Sequence, residues 1–127
     1  MTIDPHLKAM SDAAVDHVMR EVKGAKAVVI CSEDGFEVAA RVENNTQVSR
    51  LSAMASSFSA LGALVGEESQ LGACNYVMVD AAEGLILILQ ARHPTHPLTL
   101  CIVTGSDAVA GQVLYFAKQA ALSLVNS

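Results

Sequence analysis

The chain has 127 residues, of which 52% are hydrophobic and 17% are charged, with 8 basic and 13 acidic side chains giving a formal net charge of −5. These values describe one globular domain, so we treat residues 1–127 as a single domain without a linker. Without a basic stripe, nucleic acid is an unfavourable partner, and no apolar run approaches the ~20 residues of a membrane span.

The cysteines and the N-terminus indicate a cytoplasmic protein. Cys31, Cys74 and Cys101 are odd in number and far apart, and each lies in an apolar run, which is typical of reduced, buried thiols. Asp4 and Pro5 lie where a secretory signal would carry its apolar segment, so we expect no signal peptide.

The hydrophobic pattern predicts the element order αββαβββα. A first helix begins at Asp4-Pro5 and ends before Gly24. The 32–35 segment, Ser-Glu-Asp-Gly, predicts a hairpin turn, and 44–46 opens a long second helix from about Gln47 to Gly66. The 104–107 segment is predicted to cap the last helix. Short β-branched runs predict strands at 27–31, 36–41, 74–79, 85–89 and 98–103.

The second helix is unusual because residues 51–66 carry no charge. A surface helix normally has a charged face opposite its apolar stripe. Large residues form a predicted core stripe, and small residues form a second stripe beside it that permits close approach of another backbone. The core stripe is Leu51, Met54, Phe58, Leu61 and Val65, and the small-residue stripe is Ser52, Ser56, Ser59, Ala63 and Gly66.

Three explanations fit a helix without charges: burial inside its own domain, burial by a second chain, or a position on a membrane surface. A domain of this size rarely surrounds a helix, and the helix lacks the basic face of membrane-surface helices, so burial by a second chain is favoured. The following strand contains no lysine or proline to prevent edge pairing. We therefore predict a two-fold homodimer, with Ser52, Ala55, Ser56, Ser59, Gly62, Ala63, Gly66, Cys74, Tyr76 and Met78 in its interface.

The chain resembles the roadblock/LC7 family, including its bacterial members that partner a small Ras-like GTPase in gliding motility. The resemblance covers about Lys8 to Leu124. It depends on the first hairpin, on the helix from Leu51 to Gly66, and on residues 103–107 with 111–113. It implies an α+β, profilin-like fold: a five-stranded antiparallel sheet with one helix on one face and two on the other. It also implies dimerisation through the middle helix and the next strand, and a non-catalytic role.

Catalytic and ligand-binding patterns are missing from the sequence. His93 and His96 lie in a loop with two prolines and without a neighbouring cysteine or carboxylate, so no metal site is predicted. Gly62 and Gly66 are not followed by Gly-Lys-Ser/Thr, which excludes a phosphate loop. We find no nucleophile and base pair and expect no enzyme activity and no cofactor.

The leading hypothesis is a homodimeric adaptor that binds a small Ras-like GTPase and regulates its nucleotide cycle. An inserted arginine or a repositioned GTPase loop can alter hydrolysis, and we favour repositioning. Candidate GTPase contacts are Arg50, Asn44 and Arg41, with Arg92 a further arginine. The alternatives are a scaffold that leaves hydrolysis unchanged and a PAS- or GAF-like small-molecule sensor, which needs a cavity.

Overall fold

A computed structural model describes residues 3–43 and 47–126. The elements follow the predicted order αββαβββα. The predicted turn at 44–46, including Asn44, lies outside the described residues. The elements are α1 (Pro5–Glu21), β1 (Ala25–Ser32), β2 (Glu37–Val42), α2 (Val48–Glu68), β3 (Tyr76–Ala81), β4 (Gly84–Ala91), β5 (Leu98–Thr104) and α3 (Ala110–Val125).

The five strands form one antiparallel sheet in the order β2-β1-β5-β4-β3. Helix α2 packs on one face of the sheet, and α1 and α3 pack on the other face and on each other. The predicted α+β architecture is therefore confirmed. Strand β3 forms one edge of the sheet, as its composition suggested.

The two faces of the sheet differ in how much apolar material they bury. The face below α1 and α3 holds a large cluster that includes Val15, Ile30, Leu100 and Leu124. The face below α2 holds a much smaller cluster of fully buried residues, namely Val29, Cys31, Ala55, Ile88 and Cys101. Since burial of apolar area is the main source of stability, the larger cluster contributes most of it.

The start of α3 differs from the prediction. The helix begins at Ala110, and its N-cap is Val109, which provides no side-chain hydrogen bond to the helix. Asp107 instead lies against the turn that precedes β1, where its Oδ1 atom is 2.6 Å from the position that a Cβ atom on Gly24 would occupy. The predicted capping by residues 104–107 is wrong because Thr104 ends β5, and Gly105 and Asp107 contact the turn at Gly24 instead of the start of α3.

Candidate protein interface

Helix α2 is rotated about its own axis by roughly 110° relative to the prediction. Ser52, Ala55 and Ser59 are buried against the sheet of their own chain. These three residues belong to the set predicted to contact a second chain, so that part of the predicted interface is wrong. The same side of α2 carries Gly62 and Gly66, which are partly buried. We call Ser52, Ala55, Ser59, Gly62 and Gly66 the inner stripe of α2.

Small residues on the inner stripe allow α2 to approach its own sheet closely. A Cβ atom on Gly62 would lie 2.8 Å from Cγ2 of Val77 and 2.9 Å from Sγ of Cys74. A Cβ atom on Gly66 would lie 2.3 Å from the carbonyl oxygen of Gly72, a backbone atom that cannot easily move. The close approach predicted from these residues is present, but the approaching backbone belongs to the same chain.

Serines on this helix also form hydrogen bonds within the chain. The Ser56 hydroxyl donates to the carbonyl oxygen of Glu33 at 2.5 Å, which ties α2 to the first hairpin. The side-chain amide of Gln90 donates to the hydroxyl of Ser59 at 2.7 Å. Ser56 and Ser59 therefore have structural roles inside one domain, whereas Ala63, another predicted interface residue, is exposed.

Large apolar side chains cover a neighbouring side of α2, roughly 110° around the helix from the inner stripe. Met54 and Phe58 are about 40% exposed, and Leu61 and Val65 exceed 50%. These four residues were predicted to form the core stripe with Leu51, and of the five only Leu51 packs against the cluster below α2. We call Met54, Phe58, Leu61 and Val65 the outer stripe of α2. At 100° per residue they lie together on one side of the helix.

Part of the sheet beside α2 is also uncovered. Val79, Ile86 and Val103 share the sheet face below α2 because they are cross-strand neighbours in register. They are only partly buried or exposed, and they line an open, mainly apolar depression of about 210 Å³. We call these three residues the open sheet patch. Exposed contiguous apolar surface of this kind marks interaction sites on soluble proteins.

Strand β3 presents an unpaired backbone edge next to these surfaces. Its only strand neighbour among the described residues is β4. Tyr76 and Met78, both predicted interface residues, pair with Leu89 and Leu87 and thus lie on the face of α1 and α3. Cys74 precedes the strand, and its thiol donates to the carbonyl oxygen of Tyr76. The strand edge is available for pairing, although these side chains do not face α2.

The candidate GTPase contacts do not converge. Arg50 is exposed in the first turn of α2. Arg41 forms an ion pair with Asp16 of α1. In the strand register Arg41 lies opposite Val28, which belongs to the core cluster below α1 and α3, so Arg41 lies on that face of the sheet. Asn44 lies outside the described residues. Arg92 donates to the carbonyl oxygen of Cys74 at 2.9 Å.

Two of the thiols are buried and protonated. Burial raises the pKa of the Cys31 thiol to about 11, and burial together with the neighbouring Cys31 raises the pKa of Cys101 to about 12. A thiol is nucleophilic only as its thiolate, so these two cysteines are inert near neutral pH. The prediction of buried, reduced thiols is confirmed for Cys31 and Cys101, whereas Cys74 is partly exposed.

The described residues provide little chemistry for catalysis or ligand binding. In residues 3–43 and 47–126 no group of three His, Cys, Asp or Glu side chains is arranged to hold a metal ion. His93 and His96 lie in the loop between β4 and β5 and contact each other and Thr95. The depressions beside Tyr76, Phe58 and His17 are open grooves on the surface, which does not favour a sensor that encloses its ligand.

Helix α2 meets the length and composition of a membrane-spanning helix, the one helix in the described part of the chain that does. Core helices of soluble proteins meet the same criterion. Here the inner stripe packs on the sheet, although only 17% of the apolar window is buried. Most of the apolar surface of this helix is therefore exposed in a single chain.

The architecture defines a class: an open five-stranded antiparallel sheet with one long helix on one face and two helices on the other. Within this class the chain has the roadblock/LC7 fold. It is similar to a roadblock/LC7 domain from Streptomyces avermitilis, with 20% identity over 89% of this chain and 92% of that chain and a TM-score of 0.80.

Two further structures with this fold are MglB proteins. MglB from Myxococcus xanthus has 12% identity and a TM-score of 0.84, and the match covers 99% of this chain and 92% of that chain. The gliding protein MglB from Thermus thermophilus has 15% identity and a TM-score of 0.84, covering 99% and 93%. An Acanthamoeba castellanii profilin matches at 11% identity and a TM-score of 0.64, over 91% and 97%, so the fold is profilin-like as predicted. No protein-family model matches the sequence, and no curated protein sequence matches it significantly.

Proposed function

We propose that this chain is a non-catalytic adaptor that forms a homodimer through α2 and β3 and binds a small Ras-like GTPase. The observation that carries the proposal is the outer stripe of α2 beside an unpaired strand edge, in a chain with the fold of MglB. The adaptor role follows from the resemblance to roadblock proteins. The dimer follows from the surfaces that one chain leaves exposed.

A two-fold axis beside β3 would bury the strand edge, the outer stripe and the open sheet patch in one interface. Antiparallel pairing of β3 with its copy extends the sheet and removes the exposed edge. The same axis brings the two α2 helices onto one face of the joined sheet. The outer stripe of each helix then packs on the other helix and over the open sheet patch of the other chain.

The expected gain is comparable to the stability of a small domain, because each side chain of the outer stripe is already about half buried in a single chain. Full burial of one large apolar side chain contributes roughly 1.5–3 kcal/mol. Met54, Phe58, Leu61 and Val65 contribute from both copies, and the open sheet patch adds to them. This sum must exceed the entropy lost on association, which is on the order of 4–15 kcal/mol.

Solution mass tests the dimer. The wild-type chain should elute and scatter light as a particle of twice its 13.3 kDa mass. Leu61→Glu places a charge on the outer stripe and should give a folded 13.3 kDa monomer, because an unpaired buried charge costs several kcal/mol. Ala60→Glu adds the same charge at a neighbouring exposed position outside the stripe and should remain dimeric. A wild-type monomer at micromolar concentration contradicts the proposed dimer.

The GTPase partner is tested separately by binding and turnover. We infer that the dimer binds Ras-like GTPases in a nucleotide-dependent manner and alters their hydrolysis by repositioning loops. Calorimetry against GTPases in their GDP and GTP-analogue states measures the first property, and phosphate release measures the second. Binding without a change in hydrolysis identifies the scaffold alternative. No binding in either nucleotide state contradicts the adaptor.

A further inference from the structure

A second groove lies on the face of the sheet that is opposite to α2. Helix α3 packs on β4 and β5, and among the described residues its backbone does not come close to that of β3. On this face Leu89 of β4 is buried, whereas Tyr76 of β3 is 40% exposed, so the sheet is only partly covered near the β3 edge. This region forms an open groove of about 460 Å³, bounded by Tyr76 and by the C-terminal half of α3. We call it the α3 groove.

The floor and one wall of the α3 groove are apolar. Leu89 lies in the floor, next to Tyr76 in the strand register. Leu122, which is 62% exposed, lines the α3 wall together with Val125. Exposed leucine and tyrosine side chains around a concave surface are typical of sites that bind apolar side chains of a partner.

The rim of the groove is basic. Lys118 lies on the α3 side and Arg92 on the strand side, and no aspartate or glutamate lines the groove. Lys118 is the single charged residue of α3, so this wall contains no acid to neutralise it. In a chain with 13 acidic and 8 basic residues, a groove lined by two cations and no anion is a local reversal of charge.

The arginine of the rim is held in place. Its guanidinium donates a hydrogen bond of 2.9 Å to the carbonyl oxygen of Cys74, in the segment that leads into β3. A guanidinium has further donors in a rigid planar fork, and these suit a carboxylate. A fixed cation costs less conformational entropy on binding than a free side chain.

We propose that the α3 groove binds an acidic, apolar peptide segment of a partner protein. Its apolar side chains fill the space between Leu89 and Leu122, and its carboxylates pair with Arg92 and Lys118. The site lies on the sheet face opposite to α2, and all of its lining residues come from one chain.

A random 12-residue peptide library displayed on phage tests the site without knowledge of the natural partner. Peptides selected on the immobilised wild-type protein should combine large apolar residues with aspartate or glutamate. The most enriched sequence is then synthesised with its acids intact and with each acid replaced by its amide. Binding of both peptides is measured by fluorescence anisotropy, and amide chemical shifts locate the site.

The proposal predicts a specific pattern of losses. Lys118→Glu and Leu122→Glu should each weaken binding of the acidic peptide by about tenfold or more, and the amide form should bind as weakly. Lys23→Glu makes the same charge change at an exposed residue that does not line the groove and should leave binding unchanged. Leu61→Glu should also retain binding, which separates this site from the dimer.

Several results would overturn the proposal. These are enriched peptides without acids, shift changes located on α2, or binding unaffected by Lys118→Glu and Leu122→Glu. The proposal is also overturned if no peptide is enriched, or if the amide form of the peptide binds as tightly as the acidic form. Adsorption of the wild-type protein to anionic phospholipid vesicles with no peptide binding would assign the basic rim to a membrane surface instead. Circular dichroism of each variant verifies that a loss is not due to unfolding.

Discussion

The side-chain amide of Gln90 on β4 donates a 2.7 Å hydrogen bond to the hydroxyl of Ser59 on α2. Ser59 is 8% exposed, so this bond lies almost entirely inside the domain. It joins the inner stripe of α2 to the sheet. Because the inner stripe lies against the sheet and the outer stripe is exposed, substitutions on the two stripes should have different effects.

Ser59→Glu should destabilise the domain itself rather than only separate a dimer. The longer, charged side chain has no room beside the sheet and leaves a carboxylate without a partner. We expect a loss of roughly 3–5 kcal/mol in the free energy of unfolding, measured with urea. Ala60→Glu, one residue further on and exposed, should change it by no more than about 0.5 kcal/mol. Equal stability of the two variants would place Ser59 in solvent.

Two glycine-to-alanine substitutions should have effects of opposite sign. Gly66→Ala puts a methyl group 2.3 Å from the Gly72 carbonyl oxygen and should cost about 1–3 kcal/mol of unfolding free energy. At Gly111 a new Cβ atom meets nothing within 4 Å. Gly111→Ala should therefore stabilise α3 by up to about 1 kcal/mol, because alanine reduces the entropy of the unfolded chain. Thermal melts of the two variants measure the difference, and a stabilised Gly66→Ala would contradict the close helix–sheet contact.

The buried thiols should make stability fall in alkali. Folded Cys31 and Cys101 have pKa values of about 11 and 12, above the ordinary thiol value of 9.0. From about pH 9 the unfolded chain loses thiol protons that the folded chain keeps, so the unfolding free energy decreases as pH rises through the folded pKa values. Urea titrations from pH 8 to pH 11 measure this decrease. The Cys31→Ala/Cys101→Ala variant is the control, and it should show a smaller decrease.

Thiol labelling gives an independent measurement. Iodoacetamide at pH 8 should modify Cys74, which is partly exposed, and leave Cys31 and Cys101 unmodified in the folded protein. Mass spectrometry should then detect one adduct in buffer and three in urea. Rapid modification of all three thiols in buffer would show that α2 does not remain on the sheet.

The two candidate arginines should differ in any GTPase complex formed on the α2 face. Arg50→Glu changes an exposed residue of that helix and should weaken GTPase binding. Arg41 is paired with Asp16 on the other face of the sheet, so Arg41→Ala should leave GTPase binding unchanged. It should lower stability by no more than about 1 kcal/mol, as expected for an exposed ion pair. The opposite ranking, measured by calorimetry, would move the GTPase to the α1 and α3 face.

The sequence predicts most of the fold because its elements are separated by strong local signals. The β-branched run at Val28 and Val29 and the turn at Asp34-Gly35 define the first hairpin, and the apolar strand 85–89 indicates an interior position. These features depend on local periodicity and turn chemistry, which a sequence contains directly.

The orientation of α2 could not be predicted by the same reasoning. Periodicity states which residues share a side of a helix, but not which side faces the sheet. We assigned the large side chains to the core and the small ones to a second chain. Contact with Val77 and Gly72 requires the small side inward, and nothing local in the sequence reports that distance. Gly62 and Gly66 correctly indicated close packing against another backbone. The error was to assign that backbone to a second chain instead of to the chain's own sheet.

The alternation of side chains along β3 links the two exposed surfaces of the domain. Val77 and Val79 point toward the helix α2 side, whereas Tyr76 and Met78 point toward the other face, where Tyr76 lines the α3 groove. Insertion or deletion of a single amino acid within this strand would exchange the two sets, moving an aromatic ring under one helix and a valine into the other cleft. The length of this edge strand is thus more tightly constrained than is usual for an edge strand. The two proposed binding surfaces depend on the same alternation of its side chains.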